Sequence, residues 1–227
     1  GSSIYKSWAT FDGSTYTGWV GFNCSTYQSW ADFSASTYQD GATFMSSTYQ
    51  SEADFSNSTC QSEVYFSDST YKGKADFCGS TYQSEVYFSY STYQSEADFS
   101  DSIYQGKADF SDSTYRGWAD FRNSAYQGRA GFTDSIYQHE VYFSGSTYED
   151  KADFSGSIFC GDVYYGKDRY NSNFSRFTDC TPQFYNENSH QNTLFGSPIN
   201  NFIVDTDKGY PINLNSEGLP LGCDFLT

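Results

Sequence analysis

An 11-residue repeat runs from Ser3 to Tyr165 and constrains the fold more than any other feature of this chain. The fifteen repeats read Ser-x-Tyr, with Cys60 and Phe159 in place of the tyrosine in two of them, then three residues, Ala or Val, one residue, Phe (Tyr165 in the last repeat) and two linking residues. A fixed period of this kind is typical of arrays in which each unit buries its apolar face against the next unit. The repeat therefore predicts an elongated structure built from one small element.

The pattern inside each repeat is that of β-strands. Ser-Thr-Tyr and Ala-Asp-Phe alternate with a period of two, which places Ser, Tyr, Ala or Val, and Phe on the inward side. The variable positions between them point outward. Buried tyrosine hydroxyls need hydrogen-bond partners, and we expect the invariant serine of each repeat to supply them. Asp, Gly, Asn and Ser at fixed offsets between the strands predict corners.

Three all-β architectures fit this pattern: a two-sided coil of one repeat, an antiparallel meander of hairpins, and a four-sided coil of two repeats. A two-residue corner would have to be almost fully stretched to cross the ~10 Å between facing sheets, which argues against the first. Like residues before Phe recur at a spacing of 22, as in Asp32, Asp54 and Asp76. We therefore predict an all-β solenoid of about fifteen 11-residue repeats in 22-residue coils, with the antiparallel β-meander as the alternative.

Two families share parts of this pattern. Ala-Asp-Phe-Ser-Asp at 108–112 and Ala-Asp-Phe-Ser-Gly at 152–156 resemble pentapeptide repeats, in which a small residue, Asp and a large apolar residue precede two corner residues. That resemblance implies a right-handed quadrilateral β-helix, although every second unit here carries one extra residue, such as Glu52. The segment from Phe11 to Gly18 is similar to a MORN repeat, which implies hairpins. Both resemblances cover about the first 165 residues.

The repeat ends near Tyr165, after which Asn, Pro and Leu appear. We divide the chain into an 11-residue β-repeat domain, 1–165, and a C-terminal cap or assembly segment, 166–227. Within the latter, Phe202-Ile203-Val204 is predicted to form a strand. Solenoid ends expose unpaired backbone and need a cover. The tail would cover one end, whereas at the other end the repeat already begins at Ser3.

Charge, cysteines and glycosylation sequons predict a secreted protein. The net charge of −16 argues against nucleic-acid binding, and no apolar run is long enough to span a bilayer. Of the six cysteines, Cys180 and Cys223 are best placed to form a disulfide. Asn-x-Ser/Thr sequons occur at Asn23, Asn57 and Asn173. Disulfides and glycosylation are both features of extracellular proteins.

No catalytic motif is found. His139 and His190 are the two histidines, and neither belongs to a metal-ligand or nucleophile motif. We therefore expect a protein that is not an enzyme and needs no resident cofactor. One acidic series would repel itself when stacked at ~4.8 Å, and carboxylate oxygens suit Ca²⁺, so we predict divalent-cation sites there. The predicted ligands are Asp32, Asp54, Asp76, Asp98 and Asp120.

These features favour a secreted structural protein, the building block of an extracellular fibre or surface layer that assembles head-to-tail. Its expected partner is itself, with glycans as a further candidate and without nucleic acid or a membrane span. The expected assembly edge consists of Ser3, Ile4, Tyr5, Phe202, Ile203 and Val204. One alternative is an ice- or glycan-binding module that uses the outward Thr/Ile or Tyr ladder. Another is an acidic DNA mimic, because some pentapeptide-repeat proteins resemble duplex DNA.

Overall fold

The chain forms a four-sided parallel β-solenoid. A computed structural model describes residues 2–186 and 191–227. Four faces, named A to D, follow one another in chain order, and within the repeat region each strand pairs in parallel with the equivalent strands 22 residues before and after it. The 22-residue coil is therefore confirmed. The antiparallel meander is wrong, as are the hairpins implied by the MORN resemblance, because closure through four corners returns every strand in the same direction.

Within the described residues, every strand is two residues long. Face A contains Ile4–Tyr5, Thr26–Tyr27, Thr48–Tyr49, Thr70–Tyr71, Thr92–Tyr93, Thr114–Tyr115, Ile136–Tyr137, Ile158–Phe159, Leu194–Phe195 and Asp224–Phe225. Face B contains Ala9–Thr10, Ala31–Asp32, Ala53–Asp54, Ala75–Asp76, Ala97–Asp98, Ala119–Asp120, Val141–Tyr142 and Val163–Tyr164. Face C contains Thr15–Tyr16, Thr37–Tyr38, Thr59–Cys60, Thr81–Tyr82, Ile103–Tyr104, Ala125–Tyr126, Thr147–Tyr148 and Arg176–Phe177. Face D contains Val20–Gly21, Ala42–Thr43, Val64–Tyr65, Val86–Tyr87, Ala108–Asp109, Ala130–Gly131 and Ala152–Asp153. Tyr185–Asn186 and Gln191–Asn192 form a separate antiparallel pair.

Two of the four corners in each coil turn through a single left-handed residue. Asn57 (φ 57°) does so between faces B and C, and Asp68 (φ 60°) between faces D and A. A left-handed conformation costs an ordinary residue roughly 1–2 kcal/mol, but Gly, Asn and Asp adopt it readily. This preference explains why Gly, Asn and Asp recur immediately before the invariant serine, and it confirms the predicted corners.

The core consists of four files of stacked aromatic rings. Tyr27 and Tyr49 of face A lie 4.8 Å apart with their planes 1° from parallel, and the pattern repeats from coil to coil. Phe33 and Phe55 stack in the same way on face B, while Phe44 of face D meets Phe33 edge-on at 5.1 Å. All five rings are almost fully buried. The prediction that the repeat columns define inside and outside is therefore confirmed.

The invariant serines bind backbone groups rather than tyrosine hydroxyls. Ser47 Oγ accepts a hydrogen bond from Ser25 N–H (3.2 Å) and donates to the carbonyl of Met45 (3.2 Å). Because each serine lies at a corner, its hydroxyl is already occupied by the turn and by the next coil. The buried hydroxyls of Tyr27, Tyr49 and most of their equivalents have no hydrogen-bond partner among the described residues. The predicted serine–tyrosine pairing is met only in part: burial raises the pKa of the Tyr49 hydroxyl and Ser47 lies close enough to oppose that rise, but the serine hydroxyl bonds to backbone groups.

The C-terminal segment continues the aromatic files. Phe177 stacks on Tyr148 at 4.7 Å, and Phe195 stacks on Phe159 at 5.2 Å. The predicted strand at Phe202-Ile203-Val204 is not formed. Asn201, immediately before it, makes a single bridge to Tyr164. The side chains of Phe202 and Val204 are buried, so this segment covers the end of the core without pairing as a strand. Among the described residues, no helix is long and apolar enough to cross a membrane.

Candidate functional site: two acidic faces

The predicted aspartate series lies on face B, one residue per coil. Each carboxylate first serves the corner that follows its strand. Asp32 Oδ1 accepts the backbone N–H of Ser34 at 3.0 Å, and Asp98 Oδ1 accepts that of Ser100 at 3.0 Å. This local side-chain turn is a preferred use of Asp, and it holds each carboxylate in a fixed position. The row of acids is therefore preorganised by the same contacts that shape the corners.

Basic side chains compensate part of this row. Lys74 Nζ lies 2.8 Å from Asp76, 3.8 Å from Glu96 and 3.9 Å from Asp98. Burial raises the pKa of Asp76, but hydrogen bonds from Lys74 and Cys78 outweigh it and leave that pKa below its ordinary value. The ammonium group thus supplies the positive charge that the stacked acids require.

The divalent-cation sites stay a prediction. Of the five aspartates, Asp76 and Asp98 come together, and with Cys78 they form the one group in the described chain whose potential ligand atoms converge. Burial and the hydrogen bond to Asp76 raise the pKa of the Cys78 thiol well above its ordinary value, which disfavours the thiolate that a metal would need. Lys74 also competes for the same carboxylates.

Neutralising Asp98 is expected to stabilise the protein at neutral pH. Burial, reinforced by Asp120 and Asp76 and opposed by the hydrogen bonds from Ser100, raises the pKa of Asp98 in the folded state. The folded chain therefore holds this proton to a higher pH than the unfolded chain, and stability is lost as pH rises through that window. Asp98→Asn keeps the Oδ1 acceptor for Ser100 and removes the charge.

Urea unfolding at pH 7 and pH 3 tests this prediction. The midpoint of Asp98→Asn should exceed that of the unmodified protein at pH 7, and the gain should shrink at pH 3, where both states are protonated. Glu52→Gln, which removes an exposed carboxylate beside the same face, is the matched control. An equal gain at both pH values would contradict the assignment to Asp98 ionisation.

Face D, opposite face B, carries the second acidic array. Tyr65 and Tyr87 stack at 5.0 Å on its surface, and their hydroxyls donate to the carboxylates of Glu63 and Glu85. Further along this face the acids are compensated: Lys107 Nζ pairs with Asp109 at 2.8 Å, and Arg129 and Lys151 pair with Asp153 at 3.4 Å and 3.1 Å. The carboxylates of Glu63 and Glu85 are thus held in register on successive coils.

Faces A and C separate the two acidic faces with uncharged strand residues. Their outward strand positions within the repeats are Thr, Ile or Ala, as in Thr48 on face A and Thr59 on face C. The next outward position is Gln in most coils, as in Gln50 and Gln61, and these side chains are exposed. The strand positions of faces A and C are therefore uncharged, while Lys6, Lys72 and Arg116 add positive charge beside face A.

A cluster of side chains around Arg122, here called the clasp, lies near the C-terminal end of face B and was not predicted from the sequence. Arg122 Nε lies 2.8 Å and 3.0 Å from the two carboxylate oxygens of Asp120, and its guanidinium lies 5.2 Å from the Tyr142 ring and 4.8 Å from the Tyr170 ring. Asp168 approaches the same group at 3.9 Å. The one sequence signal is Arg122 itself, an arginine at a corner position where other repeats carry mainly small residues.

The remaining predicted residues are dispersed. Cys180 is half-buried and Cys223 is buried, where its thiol contacts the carbonyl of Phe184 at 3.8 Å; all six cysteines are free, so the predicted disulfide is wrong. Asn57 and Asn173 are exposed, whereas Asn23 accepts hydrogen bonds at its corner. Glycosylation of the three sequons stays a prediction, as does the extracellular location. His139 is exposed at a corner, and His190 lies outside the described residues.

Comparison with known proteins identifies a fold relationship. No family model matches the chain, and no curated protein matches it. Among solved structures, it is similar to QnrB1, a pentapeptide-repeat protein described as a plasmid-mediated fluoroquinolone resistance protein. The TM-score is 0.30 and the identity 12%, over 79% of this chain and 92% of that chain. The fold is a pentapeptide-repeat-like β-solenoid. The one extra residue in every second unit is accommodated in the longer corners, between faces A and B and between faces C and D.

The expected secreted fibre protein is corrected by these findings. The similar structure is described as a resistance protein and not as a fibre component. At one end of the expected assembly edge, Phe202 and Val204 are buried in the core of their own chain, whereas Ile203 is exposed. At the other end, Ile4 is exposed and Tyr5 is half-buried against Tyr27. The expectation that the protein is not an enzyme stays a prediction.

Proposed function

We propose that the protein is a DNA mimic that binds the DNA-binding surface of a cationic protein in place of duplex DNA. The observation that carries the proposal is the row of acids on face B, with the carboxylates of Glu63 and Glu85 on the opposite face D and uncharged strand positions between them. Duplex DNA likewise presents two negative backbones separated by grooves. Faces B and D would take the place of the backbones, and faces A and C that of the grooves.

The density of negative charge supports this proposal. The repeat region, residues 1–165, contains 21 acidic and 8 basic residues, which gives a net charge of −13. Eight strands stacked at ~4.8 Å on face B span about 34 Å. This is one net negative charge per roughly 2.6 Å of axis, compared with one per roughly 1.7 Å for duplex DNA. A protein surface evolved to attract duplex DNA would therefore also attract this solenoid.

The fixed positions of the carboxylates also support the proposed DNA mimicry. Asp32 and Asp98 are fixed by turn hydrogen bonds, and Glu63 and Glu85 by tyrosine hydroxyls, so binding would order few side chains. The absence of a disulfide among the six cysteines removes an objection to a partner inside the cell, where thiols stay reduced.

Competition with duplex DNA tests the proposal. A fluorescent 30-base-pair duplex is bound to HU, an architectural protein that contacts DNA mainly through its backbone. The full chain should displace the duplex, and the displacement should weaken steeply with added salt. Inhibition of supercoiling by DNA gyrase provides a second probe with a different DNA-binding surface.

Matched variants locate the interaction. The test variant replaces four carboxylates beside faces B and D with Gln: Glu52, Glu63, Glu85 and Glu96. The control replaces three exposed glutamines of face C with Ala: Gln39, Gln61 and Gln83. The test variant should displace the duplex at least tenfold less well, and the control should match the unmodified protein. The proposal would be overturned if, at low salt, the chain neither displaced the duplex from HU nor inhibited gyrase. It would also be overturned if the test variant and the control variant lost activity equally.

A further inference from the structure

One position interrupts the tyrosine file of face C. Cys60 pairs in register with Tyr38 on one side and Tyr82 on the other. All the other coils of the repeat region carry a tyrosine at this position of face C. Tyr16 stacks on Tyr38 at 5.1 Å, and Tyr82 stacks on Tyr104 at 5.1 Å. Between Tyr38 and Tyr82 one ring is therefore missing from an otherwise continuous stack.

The surrounding side chains have not closed over this gap. Tyr38, Phe55 and Phe66 each keep 2% of their surface accessible, and Cys60 and Tyr82 keep 1%. The phenylalanines one coil away on either side, Phe33, Phe44, Phe77 and Phe88, are all at 0%. The small exposed areas converge on the missing ring although the site lies far from both ends of the solenoid. They indicate an internal cavity.

The shape of the cavity is that of an aromatic ring. Two strand spacings separate the rings of Tyr38 and Tyr82 by about 9.6 Å, so a ring midway between them would lie about 4.8 Å from each. This is the spacing at which the other rings of the file stack, for example Tyr104 on Tyr126 at 4.7 Å. Phe66 would meet such a ring edge-on, as Phe88 meets Tyr82 at 5.8 Å.

The lining is apolar except for the thiol of Cys60 and the hydroxyl of Tyr38. Burial raises the pKa of the Cys60 thiol to about 12, so it stays neutral. The hydroxyl of Tyr38 is buried and has Ser36 beside it as a weak hydrogen-bond partner. A buried hydroxyl that is incompletely satisfied is costly, and a ligand that carries its own hydroxyl beside it would add a partner.

We propose that the cavity at Cys60 binds a planar aromatic molecule of about the size of phenol. The ring would stack between Tyr38 and Tyr82, and its hydroxyl would lie beside that of Tyr38. In effect the ligand replaces the tyrosine side chain that this coil lacks. Apolar cavities of ring size in protein cores bind benzene, which shows that burial of this kind is sufficient for affinity. This site is separate from faces B and D and does not depend on the proposed function.

Thermal unfolding of the full chain with phenol tests the proposal. A ligand at ten times its dissociation constant should raise Tm by about 3–6 °C for a chain of this size. Cys60→Tyr fills the cavity, so it should raise Tm by itself and abolish the response to phenol. Tyr104→Cys creates a matched second gap between Tyr82 and Tyr126, so calorimetry should count two bound phenols per chain instead of one.

The comparison also separates the proposal from non-specific effects. Phenol that merely bound surface aromatics would shift the unmodified protein and Cys60→Tyr equally, which would overturn it. Should Cys60→Tyr fail to fold, ¹⁹F spectra of 4-fluorophenol with the unmodified protein provide the deciding measurement. A distinct bound resonance with a stoichiometry of one supports the site, and its absence at millimolar ligand overturns it.

Discussion

Replacing Phe99 with Ala is expected to lower the free energy of unfolding by about 3–5 kcal/mol. Phe99 is fully buried and stacks on Phe77 at 5.1 Å and on Phe121 at 5.0 Å. Phe110 also meets it edge-on at 5.1 Å. Removing the ring leaves a cavity that two-residue strands closed by tight corners cannot collapse to fill. The loss should therefore lie near the upper end of the range.

Urea unfolding followed by circular dichroism measures this loss. Thr92→Ser, on the outward side of face A in the same region, should be nearly neutral because it removes one half-exposed methyl group. In a solenoid each coil contacts only its neighbours, so hydrogen exchange should show the largest increase in the coils on either side of Phe99. A loss below 1 kcal/mol would mean that the aromatic file is not the main source of stability.

Replacing Arg122 with Ala is expected to cost about 3–5 kcal/mol, the range for breaking a buried ion pair from one side. Asp120 is 3% exposed, and the Asp168 side chain is fully buried, so removing the guanidinium leaves two buried carboxylates without their cation. The rings of Tyr142 and Tyr170 also lose the group that lies between them. Because the clasp fastens the start of the C-terminal segment to face B, that segment should become sensitive to protease.

Two comparisons isolate the effect of the clasp. Arg116→Ala removes an exposed arginine from the neighbouring face and should change stability by less than about 0.5 kcal/mol. Asp120→Asn combined with Arg122→Ala should recover part of the loss, since it removes one of the uncompensated charges. If Arg122→Ala behaved like Arg116→Ala in both unfolding and limited proteolysis, the clasp would not contribute to stability.

The repeat region was largely predictable from its sequence because a strand pattern of period two specifies which side chains point inward. Phe33 and Tyr49 are buried, whereas Thr48 is half-exposed, as their columns predict. The spacing of like residues at 22 also indicated the four-sided coil, because stacked strands place positions 22 apart side by side. The serine–tyrosine pairing was met only in part, because an inward position does not specify which polar group a serine hydroxyl bonds first. Ser47 is inward, yet the backbone of its own corner is nearer than any ring hydroxyl.

The candidate site was only partly predictable. The aspartate row was evident from its spacing, but its compensation by Lys74 and the clasp at Arg122 depend on contacts across coils. Arg122 meets Asp168, which lies 46 residues further along the chain beyond the end of the repeat. The opposite arrangement of two acidic faces likewise follows from the closure of the coil, since neighbouring repeats contribute alternately to opposite sides.

The sequence by itself determined the 22-residue coil, because apolar residues that recur at a fixed period are buried when each one stacks on the equivalent residue of the next coil. It also determined which coil lacks a ring, since Cys60 stands in a tyrosine column. The tertiary structure alone decided how the chain ends. Phe177 and Phe195 follow Tyr148 and Phe159 after 29 and 36 residues, so no period marks them as members of the same files. They are recruited because the last coil of a solenoid exposes apolar rings, and any aromatic side chain that the tail can bring into register is stabilised there by burial.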